Sequence, residues 1–278
     1  MPELPEVQTV VDTLRRALAE GRTVQVVSHL RQDMLHRCDA DFPQKLAGRS
    51  IDEVSRRGKR IILRLDDGNR FYVHLGMTGR LTVDLPAASP RPHTHLVVRL
   101  LDGREIRFVD PRRFGAIVWL GADQADDSRL GPEPLSIRVA DLAGRLARTR
   151  RAVKSALLDQ RLIAGIGNIY ADEALFAAGI HPSARANRLT DDQVQILVRA
   201  IKQVLRRAIR HGGSTLRDYV DANGAGGRFQ LLHRVYDRQG EPCARCGAAI
   251  RRFVLGGRST HFCPSCQKRR SQAAFSTS

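Results

Sequence analysis

Aromatic residues are scarce: one Trp, four Tyr and nine Phe make up only 5% of the 278 residues. So few rings argue against a stacking platform for single-stranded nucleic acid. Long apolar runs are absent, and none approaches the ~18 residues of a membrane-spanning helix. The N-terminus also lacks the basic-then-apolar pattern of a secretion signal, so a cytoplasmic protein with no membrane partner is expected. Acidic residues are few, 29 against 46 Lys and Arg, which leaves a net charge of +17. A deficit of that size points to a polyanionic partner. No helix pairs a strongly basic face with a strongly apolar one, so a membrane surface fits less well than nucleic acid. Among nucleic acids, duplex DNA fits best. Cysteine is nearly missing before the last 36 residues. The exception, Cys38 in His36-Arg37-Cys38-Asp39, reads as an ordinary free thiol. Internal repeats are also lacking.

The length allows two domains and a small appendage. From Leu4 to Leu18, apolar residues fall at Leu4, Val7, Val10, Val11, Leu14 and Leu18. That spacing predicts a helix, with Pro5 tolerated in its first turn and Gly21 as a stop. Short β-rich runs follow at Ile51–Val54, Arg60–Leu65, Phe71–Leu75, Leu81–Val83, Leu96–Leu101, Glu105–Val109 and Ala116–Leu120. Asp67-Gly68 and Asp102-Gly103 mark hairpin turns. Many short strands without interleaved helices predict an antiparallel sandwich or barrel, with Leu85–Pro92 as a loop. Asp123–Pro134 is expected to be a linker, and helices take over beyond it. Thr190 with Gln193 resembles a capping box. It opens a stripe of Val194, Leu197, Val198, Ile201, Leu205, Ala208 and Ile209 that ends at Gly212-Gly213. Ala222–Arg228, with three glycines, reads as a mobile loop.

The C-terminal cysteines form the sharpest motif. Cys243-Ala-Arg-Cys246 and Cys263-Pro-Ser-Cys266 are separated by 16 residues, the pattern of a four-thiolate zinc site. The segment is too short to bury a core, so metal binding, on the order of 10 kcal/mol, must supply its folding free energy. A disulfide pair is disfavoured without a secretion signal. Gly256-Gly257 marks a hairpin turn, and Arg251, Arg252 and Arg258 lie around it. One structural Zn2+ is therefore the expected cofactor.

Weaker motifs lie upstream. Gly165-Ile-Gly167-Asn168 precedes a helix expected from about Ile169, without the strand or third glycine of a dinucleotide fingerprint. Its helix N-terminus suits a DNA phosphate, and Asn168 is either part of that contact or a simple cap. Arg57-Gly58-Lys59-Arg60 lies at a strand entrance, where a basic run ordinarily faces solvent. His74-Leu-Gly-Met77-Thr-Gly79 sets a methionine in a glycine-flanked turn. Asp110-Pro-Arg112-Arg113-Phe114-Gly115 offers two arginines and a ring. An arginine beside apolar wedges is the equipment for opening a base stack. Together these motifs point to extraction of a nucleotide.

The first residues read in two ways. Met1-Pro2-Glu3-Leu4-Pro5-Glu6-Val7 is a proline-rich lead-in to a helix, or the reactive end of an enzyme. Trimming of Met1 would leave Pro2 with a secondary amine whose pKa lies well below that of lysine. Attack on a carbonyl-like carbon would give an iminium, an electron sink for breaking neighbouring bonds. Glu3 beside it could move protons.

Taken in order, these motifs resemble the formamidopyrimidine-DNA glycosylases, bifunctional base-excision repair enzymes, over nearly the whole chain. The likeness is carried by Pro2 to Val7, Arg57 to Arg60, His74 to Gly79, Asp110 to Gly115, Asp159-Gln160, Gly165 to Ala171 and the four-cysteine finger with Arg258 inside it. It implies an α+β multidomain protein. An N-terminal antiparallel β-sandwich with a terminal helix would span residues 1–131, and a helix–two-turn–helix domain 132–238. A zinc-finger β-hairpin would span 239–270 and a tail 271–278, with DNA in the groove between the first two. The resemblance implies that Pro2 attacks the sugar C1′ to form a Schiff base and that Glu3 handles protons. Lys59 would assist β-elimination, and Arg258 would assist δ-elimination and grip phosphate. His74, His93, Lys154 and Asn168 would contact backbone phosphates. Met77, Arg112 and Phe114 would fill the gap left by the extruded base, with Arg112 reading the orphaned cytosine. The implied partner is double-stranded DNA containing oxidised purines, chiefly 8-oxoguanine and formamidopyrimidines, bound by a monomer.

The alternatives are an oxidised-pyrimidine glycosylase of the same superfamily, disfavoured by Leu4, and a non-catalytic zinc-dependent DNA-binding protein. Three departures bear on lesion preference and loop order. Gln8 stands for the usual glutamate, Asp237 stands for a common glycine, and Ala222–Arg228 matches no expected pattern.

Overall fold

A computed structural model describes residues 1–19, 22–38, 41–86, 91–122, 129–216 and 219–269. Gly21, residues 123–128 of the expected linker, Ala87–Pro90 of the expected loop and the 271–278 tail lie outside the described residues. The chain forms two compact units. The first comprises Met1–Arg129 with Arg207–Leu231, and the second Leu130–Arg206 with Leu232–Ser278.

In the first unit, helix α1 (Leu4–Ala17) buries the predicted stripe: Leu4, Val7, Val10, Val11 and Leu14 have no exposed surface. Burying a side chain of that size stabilises by roughly 1.5–3 kcal/mol. Two sheets follow. One takes β1 (Val24–Leu30), β7 (Thr94–Leu100), β8 (Glu105–Val109) and β6 (Arg80–Asp84) in that order. The other runs β2 (Leu35–His36), β9 (Ala116–Gly121), β5 (Arg70–His74), β4 (Arg60–Leu65), β3 (Ile51–Arg57). Pairing is antiparallel throughout these sheets except for the short parallel β2–β9 contact, which no alternation in sequence announced. Helix α2 (Phe42–Leu46) sets Phe42 edge-on against Phe71 and Trp119, with ring centroids 5.5 and 5.8 Å away. Helix α1 packs on β3 and β4, so the N-terminal residues ride on a rigid layer.

In the second unit, α3 (Val139–Ala147), α4 (Val153–Leu157) and α5 (Asn168–Ala178) precede α6 (Asp191–Arg210), which runs on into the first unit. The capping box forms as predicted. The Thr190 N–H donates to Gln193 Oε1 at 3.0 Å, and the Gln193 N–H donates to Thr190 Oγ1 at 3.3 Å. Gly131 and Pro132, expected in the linker, are bonded into this unit instead. The Gly131 N–H donates to Gln160 O and the Ala164 N–H to Pro132 O. A side chain at Gly131 would meet the Leu162 carbonyl carbon at 2.6 Å, so glycine is required there. The cysteine segment carries β10 (Arg251–Leu255) and β11 (Arg258–Phe262), an antiparallel ribbon.

Candidate active site

Pro2 and Glu3 are buried at the head of α1, while Met1 is exposed. The Glu3 N–H donates to Glu6 Oε2 at 2.8 Å. The other Glu6 oxygen accepts the Ser214 N–H at 2.6 Å. One buried carboxylate thus fixes the terminal backbone against a second chain segment, at the positive end of a helix. Gly213, at φ +77°, passes so close that a Cβ there would lie 2.7 Å from Glu6 Oε1. The Tyr219 hydroxyl donates to the Glu6 carbonyl at 3.2 Å. Burial and then the Glu6 charge push its pKa up, which keeps it a donor.

The mobile loop expected at Ala222–Arg228 is instead a bonded turn. Asp221 Oδ1 accepts the Asn223 and Ala225 N–H groups at 2.9 Å, and Thr215 Oγ1 accepts the Gly227 N–H at 2.8 Å. Ala222 is wholly buried. Its N–H reaches Thr13 Oγ1 on α1, and its carbonyl accepts the Val83 N–H. The departure at Gln8 also finds a use. Its carbonyl accepts from Arg56 Nε at 2.9 Å and its amide donates to Asp12 at 2.8 Å. Arg56 in turn donates to Gly58 O. An amide can do both where a carboxylate could only accept.

Arg57 and Arg60 are paired across β3 and β4, so the strand entrance expected here is the two-residue hairpin turn Gly58-Lys59 that leads into β4 at Arg60. Gly58 supplies the positive φ, +56°, that such a turn requires. Lys59 is buried, not a solvated charge. His74 lies opposite Arg60 on β5. Its Nδ1 accepts the Gly76 N–H at 3.2 Å, which leaves Nε2 as the donor. Burial, reinforced by the Lys59 and Arg60 charges, lowers its pKa to about 4. His74 is therefore a neutral N–H donor at neutral pH.

The candidate wedge residues hang from one carboxylate. Asp110 is wholly buried; its Oδ1 accepts from Thr78 Oγ1 at 2.5 Å and its Oδ2 accepts the Gly115 N–H at 2.8 Å. The turn so formed presents Arg112 with its guanidinium 4.9 Å from the Phe114 ring centre. Phe114 and Met77 stay 57% and 41% exposed, unusual for large apolar side chains and suited to insertion. Gly76 lets the two turns meet, since a Cβ there would lie 2.4 Å from the Phe114 carbonyl carbon. Arg113 is paired with Asp33, so Arg112 is the arginine directed to the ring. His93 is exposed in a left-handed conformation, φ +65°, and its carbonyl accepts the Asp110 N–H. A non-glycine residue there marks a backbone held by its surroundings.

In the second unit, Gln160 closes the glycine turn. Its Oε1 accepts the Gly165 N–H and its amide donates to Ile166 O, both at 2.8 Å. Gly167 is the N-cap of α5, so Asn168 is the first helical residue rather than the cap. Its amide donates to Ser259 O at 3.0 Å. The expectation that Lys154 touches a phosphate is corrected. Lys154 has no exposed surface, and its Nζ donates to Ser259 O at 2.7 Å and Thr260 Oγ1 at 2.9 Å. It also pairs with Asp172 Oδ1 at 2.7 Å. Arg258 is exposed at the start of β11, beside the Gly256-Gly257 turn.

The sulfurs of Cys243, Cys246, Cys263 and Cys266 all lie within 4.8 Å of one another. Tetrahedral coordination at about 2.3 Å sets sulfurs roughly 3.8 Å apart, and the closest pairs here are 3.4, 3.5 and 3.9 Å. The Arg245 and Cys266 N–H groups donate to the Cys243 and Cys263 sulfurs, both at 3.4 Å. Burial and then the neighbouring sulfurs push Cys266 up to about 12. Backbone and thiol hydrogen bonds lower Cys246 to about 6, and the four clustered sulfurs are a donor set that fits a single structural zinc.

Sequence reasoning missed several residues. Glu6 was signalled only by its three-residue spacing from Glu3. Asp172, Ser214 and Tyr219 gave no local signal, because their partners lie far away along the chain.

Comparison with known proteins agrees with this geometry. Residues 1–117 match the formamidopyrimidine-DNA glycosylase N-terminal domain and 130–220 its H2TH domain. Residues 240–269 match a zinc finger found in FPG and IleRS. The formamidopyrimidine-DNA glycosylase of Gluconobacter oxydans is 48% identical over 96% of this chain and all of its own length. A Lactococcus lactis Fpg bound to DNA containing an abasic site superposes with a TM-score of 0.89, at 34% identity over 96% of this chain and all of that one. The same TM-score and identity hold for an L. lactis Fpg bound to N7-benzyl-Fapy-dG DNA. With three matched regions, four clustered thiols and a full-length likeness, this chain belongs to the formamidopyrimidine-DNA glycosylase family of enzymes.

Proposed function

We propose that the chain is a bifunctional glycosylase and abasic-site lyase that removes oxidised purines, chiefly 8-oxoguanine and formamidopyrimidines opposite cytosine, from duplex DNA. Once Met1 is removed, the Pro2 amine attacks C1′ of the damaged nucleotide. The glycosidic bond breaks, and the base leaves with its electron pair and takes up a proton. The sugar ring opens as O4′ is protonated, with Glu3 as the proton carrier, leaving Pro2 and C1′ joined as an iminium. The iminium acidifies the C2′ proton. Loss of that proton expels the phosphate at C3′, with Lys59 assisting. Loss of the C4′ proton then expels the phosphate at C5′. Arg258 does not deprotonate in proteins, so its part is to stabilise the departing phosphate by charge and hydrogen bonds. Arg112, Met77 and Phe114 occupy the vacated stack, while His74, His93 and Asn168 hold backbone phosphates. Zinc folds the finger and takes no chemical part.

The observation that carries this reading is the head of α1, where Glu6 pins the Glu3 N–H and Ser214 so that Pro2 and Glu3 are preorganised. The lesion-bearing DNA held by the L. lactis relatives supports the substrate class. The test compares strand cleavage of duplexes carrying 8-oxoguanine opposite cytosine or thymine glycol. Faster cleavage of the purine lesion is expected, and the reverse order would move the chain to the pyrimidine branch. Pro2→Gly should retain DNA binding while weakening lyase activity; loss of both would make Pro2 structural.

A further inference from the structure

We propose that Lys154 and Asp172 are positioning residues for Arg258, holding the finger hairpin in register with α4 and α5. The proposal rests on the lyase reading above. A two-stranded ribbon is marginal on its own, and Arg258 directly follows its turn, Gly256-Gly257 at φ +55° and +73°. In the antiparallel register Leu255 faces Arg258 and Val254 faces Ser259. The turn-closing pair exchanges its backbone bonds, so Ser259 and His261 direct theirs away from β10.

That outer edge is satisfied by side chains. Ser259 O accepts from both Lys154 Nζ, at 2.7 Å, and Asn168 Nδ2, at 3.0 Å. The His261 N–H donates to Asp172 Oδ2 at 2.9 Å, while Asp172 Oδ1 holds the Lys154 ammonium at 2.7 Å. Thr260 Oγ1 is the third ammonium partner. Lys154, Asp172 and Thr260 have no exposed surface. A buried ion pair is a poor source of net stability against apolar residues of the same volume, and its attested use is to fix register. Here the fixed element is the two residues beside an exposed arginine.

The test uses full-length, Met-trimmed, zinc-loaded protein on abasic-site duplex DNA. It reads the ratio of δ- to β-elimination products under single turnover, together with zinc content and thermal unfolding. Arg258→Ala sets the reference for loss of the δ-product. Lys154→Met and Asp172→Asn that keep zinc and fold should lower the δ-product by about tenfold, as small misplacements of a charged group do, with β-product changed less than about twofold. Adding Lys154→Met to Arg258→Ala should lower the δ-product no further. Folded, zinc-loaded single variants with the wild-type ratio, or with both products reduced equally, would overturn the proposal. If these variants lose zinc or unfold, Thr260→Val decides. It keeps both charges and removes one ammonium partner; a lowered ratio supports the proposal, and an unchanged one overturns it. Absence of any adduct or cleavage by wild-type protein would instead take down the lyase reading, and this inference with it.

Discussion

At the end of β5, His74 is sheltered beside two cations, and its charge state follows from that setting. The folded pKa, about 4, lies below the unfolded value near 6.5. As pH falls through 6.5 the unfolded chain takes up a proton that the folded chain refuses until about pH 4. Stability is therefore lost across that window. His233, also lowered to about 4, chiefly by burial, adds the same sign. Ring-nitrogen NMR should show both histidines neutral at pH 5.5; titration near 6.5 would contradict the burial argument. Asp237 gives a second residue-scale prediction. It stands in the left-handed region at φ +59°, where the resemblance leads one to expect glycine. Asp tolerates that conformation better than most residues. Asp237→Val should cost about 1–2 kcal/mol, read as a lower urea midpoint, while Asp237→Gly should not destabilise. Equal midpoints for all three would remove the conformational account.

At the scale of elements, what repeats locally was legible. The α1 and α6 stripes, the hairpin turns and the paired cysteines each carry a period or spacing that one segment displays alone. What was not legible depends on distant partners. Lys154 looks like any surface lysine until Asp172, Ser259 and Thr260 enclose it. Likewise, three glycines announce a loose loop until Thr13 and Val83 anchor Ala222. The Asp110 turn was visible as a motif, but not the bonds to Thr78 and Gly115 that shape it. For the finger, spacing alone predicted the ligand set, and its core of Phe176, Val235 and Ile250 beside the cysteines is small. Chelating the zinc should therefore unfold residues 240–269, exposing the Arg258 hairpin to protease while α1 stays protected. A hairpin that resists protease without metal would show that packing alone suffices.

For the whole molecule, the net charge of +17 sets the expected response to salt. Affinity for duplex DNA should fall by about 0.9 log units per phosphate contacted for each tenfold rise in salt. A flat response would break the link between charge and partner. Among the described residues no helix is long and apolar enough to cross a membrane. The central claim, however, concerns Pro2. Met-trimmed, zinc-loaded protein should be trapped covalently by borohydride on a duplex with 8-oxoguanine opposite cytosine, and Met1-retaining protein should bind without trapping. Absence of an adduct from the trimmed protein would contradict the account.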